Sequence, residues 1–266
     1  IVINAVGDTM IGSMFPQETI PPQKGATAFQ YVKDYLKTGN PDILMANLEG
    51  PVTNYPVTHK RVGTGRSFAF RMPPYLMKPI QEAGFNLVNT ANNHAMDFGE
   101  KGYLDTRKYL AEYGIQAVGN KNEIVSFKIK NKLVAFIGFA WFGFSNNYLQ
   151  LAESMKLIRK AKASHDIVVI TIHGGGEGEA AIHVKDQVEN LYGENRGNLF
   201  RFCRSAVDNG ADLIIGHGPH VPRAMELYKD RLIAYSLGNF ATYALFVTSG
   251  HKKNTLILNV NLDGKG

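Results

Sequence analysis

Short apolar runs rich in Val and Ile recur through the first 215 residues, and segments with apolar residues at helical spacing lie between them. The runs at 1–6, 43–46, 85–91, 115–118, 134–139, 167–172 and 213–215 read as buried strands. Segments 28–37, 74–83, 101–113, 149–163 and 198–208 read as helices, and Gly84, Gly114 and Gly210 fall where helix C-caps belong. Such alternation folds as an α/β layered domain with a largely buried sheet. The pattern then turns to strands alone, at 223–228, 231–235 and 255–261, with Lys229-Asp230 as a hairpin turn. No linker or repeat interrupts the chain, so residues 1–266 read as a single domain. One stretch without an element, 50–73, is too long for an ordinary connection and reads as a functional loop.

In open α/β sheets, ligands sit beyond the carboxyl ends of the strands. Five strand ends here carry residues of metal-ligand type. The first runs into Gly7-Asp8, the second into Asn47-Leu48-Glu49 and the third into Asn92-Asn93-His94. The strand at 167–172 delivers His173, with Glu177 four residues on, and the strand at 213–215 delivers His217 and His220. One such residue is ordinarily a cap or a turn former. Five ends aimed at one sheet edge argue for a shared site. Carboxylate and amide oxygens with imidazole suit zinc, manganese or iron, as one or two divalent ions. A bridging Glu49 would allow a two-metal centre that activates water.

Composition narrows the alternatives. Cys203 is the only cysteine, which excludes an internal disulfide and a cysteine-rich zinc site. The net charge of +6 favours anionic partners, but it forms no Lys/Arg-rich run, so nucleic acid is not expected. No apolar run approaches the ~20 residues of a membrane helix. The chain opens on a strand without an initiator Met, so a removed N-terminal signal or anchor is expected.

Gly7-Asp8, Asn47-Leu48-Glu49, Asn92-Asn93-His94 with Asp97-Phe98-Gly99, His173 with Glu177, Gly216-His217-Gly218-Pro219-His220-Val221 and the segment from Tyr235 to Phe240 form a joint pattern. In that order it resembles the CapA/PgsA-like proteins of bacterial poly-γ-glutamate capsule synthesis, within the calcineurin-like metallophosphatase superfamily. The resemblance implies a four-layer α/β/β/α sandwich with a dinuclear site at one edge, and an extracytoplasmic setting at the cell surface or periplasm. It also implies that Asp8 and His220 hold a first metal with Glu49 bridging. Asn93, His173 and His217 would hold a second, and His94 would act as general acid or electrostatic stabiliser. Asn92 and Asn239 are expected to buttress these groups. Two departures stand out: Met10 occupies the position of a histidine, and Glu49 that of an aspartate. The first metal should therefore be weak or absent.

The expected activity is that of a metal-dependent hydrolase or transferase, a metal-activated water attacking an amide or phosphoester. Glu177 is a candidate to orient a ligand or accept a proton. Arg61, Arg66 and Arg71 of the long loop, with Arg223 three residues after His220, read as a carboxylate-binding wall, because guanidinium forks match carboxylates. The expected partners are an anionic polymer or γ-glutamyl peptide, and membrane components of capsule synthesis. The alternative is a non-catalytic component that tethers polymer during export and uses its metal structurally. A serine hydrolase built on Ser236 is disfavoured, since no acid-then-histidine order follows it.

Overall fold

Every residue of the strands Ile43–Leu48, Ile167–His173 and Leu213–His217 is buried, as parallel strands covered on both faces require. The computed structural model describes residues 1–62, 67–246 and 248–263. Along the first half run β1 (Val2–Thr9), α1 (Lys33–Leu36), β2 (Ile43–Leu48), α2 (Met77–Ala83), β3 (Leu87–Asn89), α3 (Gly99–Glu112) and β4 (Gln116–Val118). The second half holds β5 (Val125–Ile129), β6 (Lys132–Ala140), β7 (Asn146–Asn147), α4 (Leu151–Lys162), β8 (Ile167–His173), β9 (Asn190–Leu191) and β10 (Glu194–Asn195). It continues through α5 (Leu199–Asp208), β11 (Leu213–His217), β12 (Met225–Tyr228), β13 (Arg231–Ala234), β14 (Asn239–Ala241) and β15 (Ile257–Asn261).

These strands form two mixed sheets of an α/β fold, with β9 and β10 paired apart from them as a two-stranded hairpin. One is ordered β14-β1-β2-β3-β4, parallel throughout, with β15 antiparallel to the start of β1. The other is ordered β12-β13-β11-β8-β6-β5, with a parallel centre and an antiparallel hairpin strand at each edge. Side chains alternate along each strand, so each sheet feeds two apolar clusters. Ile3, Met45 and Leu87 of the first sheet cluster with Phe136, Val169 and Ile215 of the second. On the other face of the first sheet, Leu44, Ala46 and Val88 pack with Ile80 of α2 and Leu110 of α3. On the other face of the second, Ile137, Ile170 and Ile214 pack with Ile158 of α4 and Phe202 of α5.

Differences from the sequence reading have local causes. The helix expected at 28–37 shrinks to the single turn α1, because only Phe29 and Leu36 bury deeply while Tyr31 and Tyr35 stay exposed. A segment with so little apolar face gains too little to offset helix nucleation. Strand β5 was not anticipated: its half-exposed Val-Ser-Phe-Lys-Ile pattern is weak, and the turn Lys130-Asn131, both at positive φ, closes it onto β6. The expected Lys229-Asp230 turn has the same form, with φ of 50° and 60°. The loop at 50–73 is closed at its base by a Val52–Met72 bridge. Among the described residues no helix is long and apolar enough to cross a membrane.

Candidate metal centre

Register brings the polar strand ends together. Asp8 is the neighbour of Asn47 and Asn47 of Asn89 in the first sheet, while His173 neighbours His217 in the second. Beyond β11, the turn Gly218-Pro219-His220 swings a second imidazole back toward β1, with His220 itself at φ 58°. That conformation is uncommon for a side chain with a Cβ.

His220 Nδ1 lies 3.0 Å from Asp8 Oδ2 and 3.0 Å from Asn239 Oδ1. Its Nε2 faces Glu49 Oε1 at 3.6 Å and Glu177 Oε2 at 3.9 Å. His173 Nε2 stands 3.7 Å from the same Glu49 oxygen. Ligand atoms of Asp8, Glu49 and His220 all lie within 4.8 Å of one another, which makes these three a possible metal-binding cluster. Asn47, not singled out from the sequence, is the hub beneath them. Its Nδ2 donates to Asp8 Oδ1 at 2.9 Å and sits 3.2 Å from His173 Nδ1; its Oδ1 accepts from Asn89 and Asn92 at 2.9 and 3.2 Å. Asn92 also donates to the Leu48 carbonyl and accepts from the His94 N–H. Asn239 donates to the carbonyls of His220 and Lys252. Both asparagines thus hold backbone beside the cluster.

The donor set fits a divalent cation. Both carboxylate oxygens of Glu49, the amide oxygen of Asn93, Nε2 of His173 and both ring nitrogens of His217 are buried without a hydrogen-bond partner. Buried polar atoms are ordinarily paired, so such a group of acceptors calls for something positive. Gly218 keeps space open here, since a Cβ would stand 3.0 Å from His173 Nε2. The protonation states of His173, His217 and Asp8 agree with ligation, whereas Glu49 and His220 are held toward their protonated forms in the absence of a cation. Burial lowers His173 well below the usual imidazole range and brings His217 down to about 4, so both stay neutral. Burial raises Asp8, but its hydrogen bond to His220 and the imidazole charges around it carry it below the ordinary carboxylate value. Burial and then the Asp8 charge push Glu49 well up. For His220 burial opposes protonation, yet Glu49, Asp8 and Glu177 together raise it to about 10. A cation at this spot would take over the role of that proton.

His94 stands beside the cluster on a separate network. Asp97 Oδ2 holds its Nδ1 at 2.9 Å and also accepts from the Phe70 N–H at 2.7 Å, while Lys60 pairs with the other Asp97 oxygen. Burial lowers the His94 pKa against the raising effect of Asp97. A cavity of about 470 Å³ opens over these groups, bordered by His94, Asn93, Glu177 and His220. The loop at 50–73 contributes Lys60, Phe68 and Phe70 to its wall, and the hairpin β9–β10 contributes Tyr192 and Glu194. Glu177 is paired with Arg196 at 3.2 Å. The Arg196 guanidinium lies 4.0 Å from the Trp141 ring, which also stacks with the His173 ring at 5.9 Å.

The expected arginine wall does not line this cavity. Arg223 is buried, clamped on Glu189 by two bonds of 3.1 and 3.0 Å and on the His183 carbonyl. Arg71 reaches back to the carbonyl of Tyr55 and stacks over Phe98. Arg61 is exposed outside the cavity lining, and Arg66 lies outside the described residues. The lysine and arginine side chains that do border the cavity are Lys60, Arg196 and Lys252. The three glycines after His173 offer no free anion cradle at two of their N–H groups, since Gly174 bonds the His217 carbonyl and Gly176 bonds Glu189. The Ser236 hydroxyl donates to the Val221 carbonyl.

Residues 2–244 match the family model described as bacterial capsule synthesis protein PGA_cap. The chain is 31% identical over 253 residues to the PGA biosynthesis protein CapA of Bacillus subtilis (strain 168), covering 88% of this chain and 61% of that protein. It is 30% identical over 267 residues to the capsule biosynthesis protein CapA of Bacillus anthracis, covering 90% of this chain and 59% of that one. A probable polyglutamine synthesis accessory protein of Mycobacterium tuberculosis (strain CDC 1551 / Oshkosh) is 24% identical over 217 residues, covering 74% and 55%. The chain spans about three fifths of the length of the two CapA relatives.

Proposed function

The chain belongs to the bacterial capsule synthesis protein family, and from that premise we propose that it is an extracytoplasmic metal-dependent hydrolase or transferase. Its substrate would be an anionic polymer, poly-γ-glutamate or a γ-glutamyl peptide, handled beside membrane components of capsule synthesis. In this reading the two sheets and the helices outside them are one metallophosphatase-type domain, a four-layer α/β/β/α sandwich. The three apolar clusters support that layering. The observation that carries the function is the set of buried ligand atoms without partners on Glu49, Asn93, His173 and His217, together with the Asp8, Glu49 and His220 cluster and a cavity that Asn93 and His220 border.

Asp8, Glu49 and His220 would hold one zinc, manganese or iron ion, and Asn93, His173 and His217 a second. Bound there, such an ion supplies a Lewis acid and lowers the pKa of water enough to make a nucleophile near neutral pH. The chain's own residues do the rest. Asn47 and Asn239 orient Asp8 and His220 through the bonds given above. Asp97 fixes the His94 ring by Nδ1, so Nε2 of the neutral ring carries a lone pair and would first take up a proton before passing it to a leaving group. In this reading Glu177, which borders the cavity and pairs with Arg196, would orient a ligand or accept a proton. Phe70 and Phe246 border the same space and exclude water from one side of it.

Metal analysis of chelator-free protein, followed by assays on a model phosphodiester and on a γ-glutamyl amide, tests this. Retained metal with turnover of either substrate is expected, and the active substrate names the bond. Protein that binds no divalent ion and turns over neither substrate sinks the proposal. Met10 favours a second reading, a polymer tether with a structural cation. It is fully buried, and its Sδ would stand 3.0 Å from a Cβ on Gly50, next to Glu49, where the resemblance calls for an imidazole. Polymer binding that survives His94→Ala, in a protein without turnover, would select that reading.

A further inference from the structure

Two lysines and one arginine border the cavity, and their surroundings differ. Lys60 is engaged with Asp97 and with the carbonyls of Asn93 and Phe68 at 3.0 and 3.3 Å. Arg196 is engaged with Glu177 at 3.2 Å and Glu194 at 2.7 Å, and lies against Trp141. Lys252 has no carboxylate or carbonyl partner for its ammonium among the described residues, although it borders the same cavity. Its side chain passes Gly178: a Cβ there would stand 3.1 Å from Lys252 Cε and 3.5 Å from Nζ. The acids on either side of Gly178 are taken, Glu177 by Arg196 and Glu179 by the His251 N–H at 2.6 Å. The backbone of Lys252 is tied to the site, because its carbonyl accepts from Asn239, which bonds His220 through its other end.

We propose that Lys252 reads an anionic substituent of the substrate, a carboxylate or a phosphate carried on the unit next to the reacting bond. An unpaired ammonium at the rim of a partly apolar cavity gains most from an oxyanion brought in by ligand, since no internal partner must first be displaced. Its compact charge on a flexible stem suits a repeating polymer whose anions arrive at varied angles, where a guanidinium fork would demand one. Lys252 lies past the residues that match the family model, so this contact is outside the shared pattern. The inference rests on the polymer-binding reading of the cavity but not on turnover.

The test is equilibrium binding to the metal-loaded protein of three probes: a γ-glutamyl oligomer with free α-carboxylates, its α-carboxamide counterpart, and a glycerol-phosphate oligomer. Lys252→Gln should weaken the charged oligomer about tenfold, a loss of about 1.4 kcal/mol. Lys252→Glu should weaken it further, Lys252→Arg should restore most of it, and the carboxamide should bind all four proteins alike. The oligomer that responds identifies the substituent as carboxylate or phosphate, and the response should fade with salt. Metal content and thermal midpoint should not change. Wild-type protein that binds no charged oligomer above the carboxamide, Lys252→Gln that binds it as tightly as wild type, or Lys252→Gln that loses metal would each overturn the assignment. Lys252-dependent binding without hydrolysis leaves it standing and removes only the catalytic reading.

Discussion

Asp8 Oδ2 and His220 Nδ1 meet at 3.0 Å although 212 positions separate the residues in the chain. Asn239 Oδ1 lies at the same distance from that nitrogen, and both oxygens are acceptors, so Nδ1 carries a proton. The tautomer leaves Nε2 as the only nitrogen of His220 able to bind a cation, and Nε2 is the one that faces Glu49. Without a cation this nitrogen takes up a proton instead, which is why the surrounding carboxylates, overcoming burial, hold His220 near 10. Proton and metal compete for one lone pair.

Glu49→Gln separates the cost of the site from its use. Both Glu49 oxygens are buried without partners, and burial with the Asp8 charge pushes the carboxyl toward its neutral form. Glutamine keeps the shape and removes the charge, so the metal-free variant should equal or exceed the wild type in stability by about 1 kcal/mol. Wild-type protein should gain about 2.7 kcal/mol at zinc or manganese a hundredfold above Kd. The variant should gain little. Denaturant melts with and without metal check this, and an undiminished gain in Glu49→Gln would remove Glu49 from the ligand set.

Acid should destabilise the metal-free protein through His217. Its folded pKa sits near 4 because of burial, below the usual value near 6.5. As pH falls below 6.5 the unfolded chain takes up a proton that the folded chain refuses, so stability drops until about pH 4 is reached. The full loss is on the order of 3 kcal/mol from this one group. His220 behaves oppositely, contributing stability below 6.5 that is lost as pH rises through about 10. Comparing wild type with His217→Gln between pH 7 and 4 isolates the first effect; parallel curves would contradict it.

Asp97→Asn should lower the His94 pKa. Burial already lowers it, and the Asp97 charge and hydrogen bond are what oppose that fall. Asparagine can still accept from the Phe70 N–H, but Lys60 loses its counter-ion. A cost of about 1–3 kcal/mol in stability is expected. Titration of the His94 ring protons by NMR reports the shift directly. A midpoint equal to that of the wild type would show that Asp97 does not govern this imidazole.

The centre was legible in sequence where a strand delivers its residue. Asp8 closes an apolar run of the first sheet, and His173 and His217 close runs of the second, so the buried parallel strands of each sheet deliver these side chains at their carboxyl ends. The cavity wall was not legible. Arg223 follows His220 by three residues, but its guanidinium turns to Glu189, 34 positions away, a pairing that no local pattern announces. Arg196 follows the two-residue strand β10, which is too short for any periodicity, and it is held at the cavity by contacts with Trp141, Glu177 and Glu194. Asn47 was visible within its motif, yet its role depends on partners from three other segments. Strand ends follow from period and direction; a wall built of returning loops follows from tertiary contacts alone.

Met10→His asks whether one missing imidazole sets the metal count. Met10 is fully buried two residues past Asp8, and its side chain reaches Gly50 beside Glu49, so a ring at this position would border the Asp8, Glu49 and His220 cluster. Histidine is no bulkier than methionine, which avoids overpacking, but a buried imidazole without a partner costs about 1–3 kcal/mol. The metal-free variant should therefore melt lower than wild type, and added zinc or manganese should recover the loss because the new nitrogen gains a ligand role. Metal analysis should rise toward a second ion per chain. A variant that melts lower and gains no additional metal would show that the first site is limited by something other than its lost imidazole.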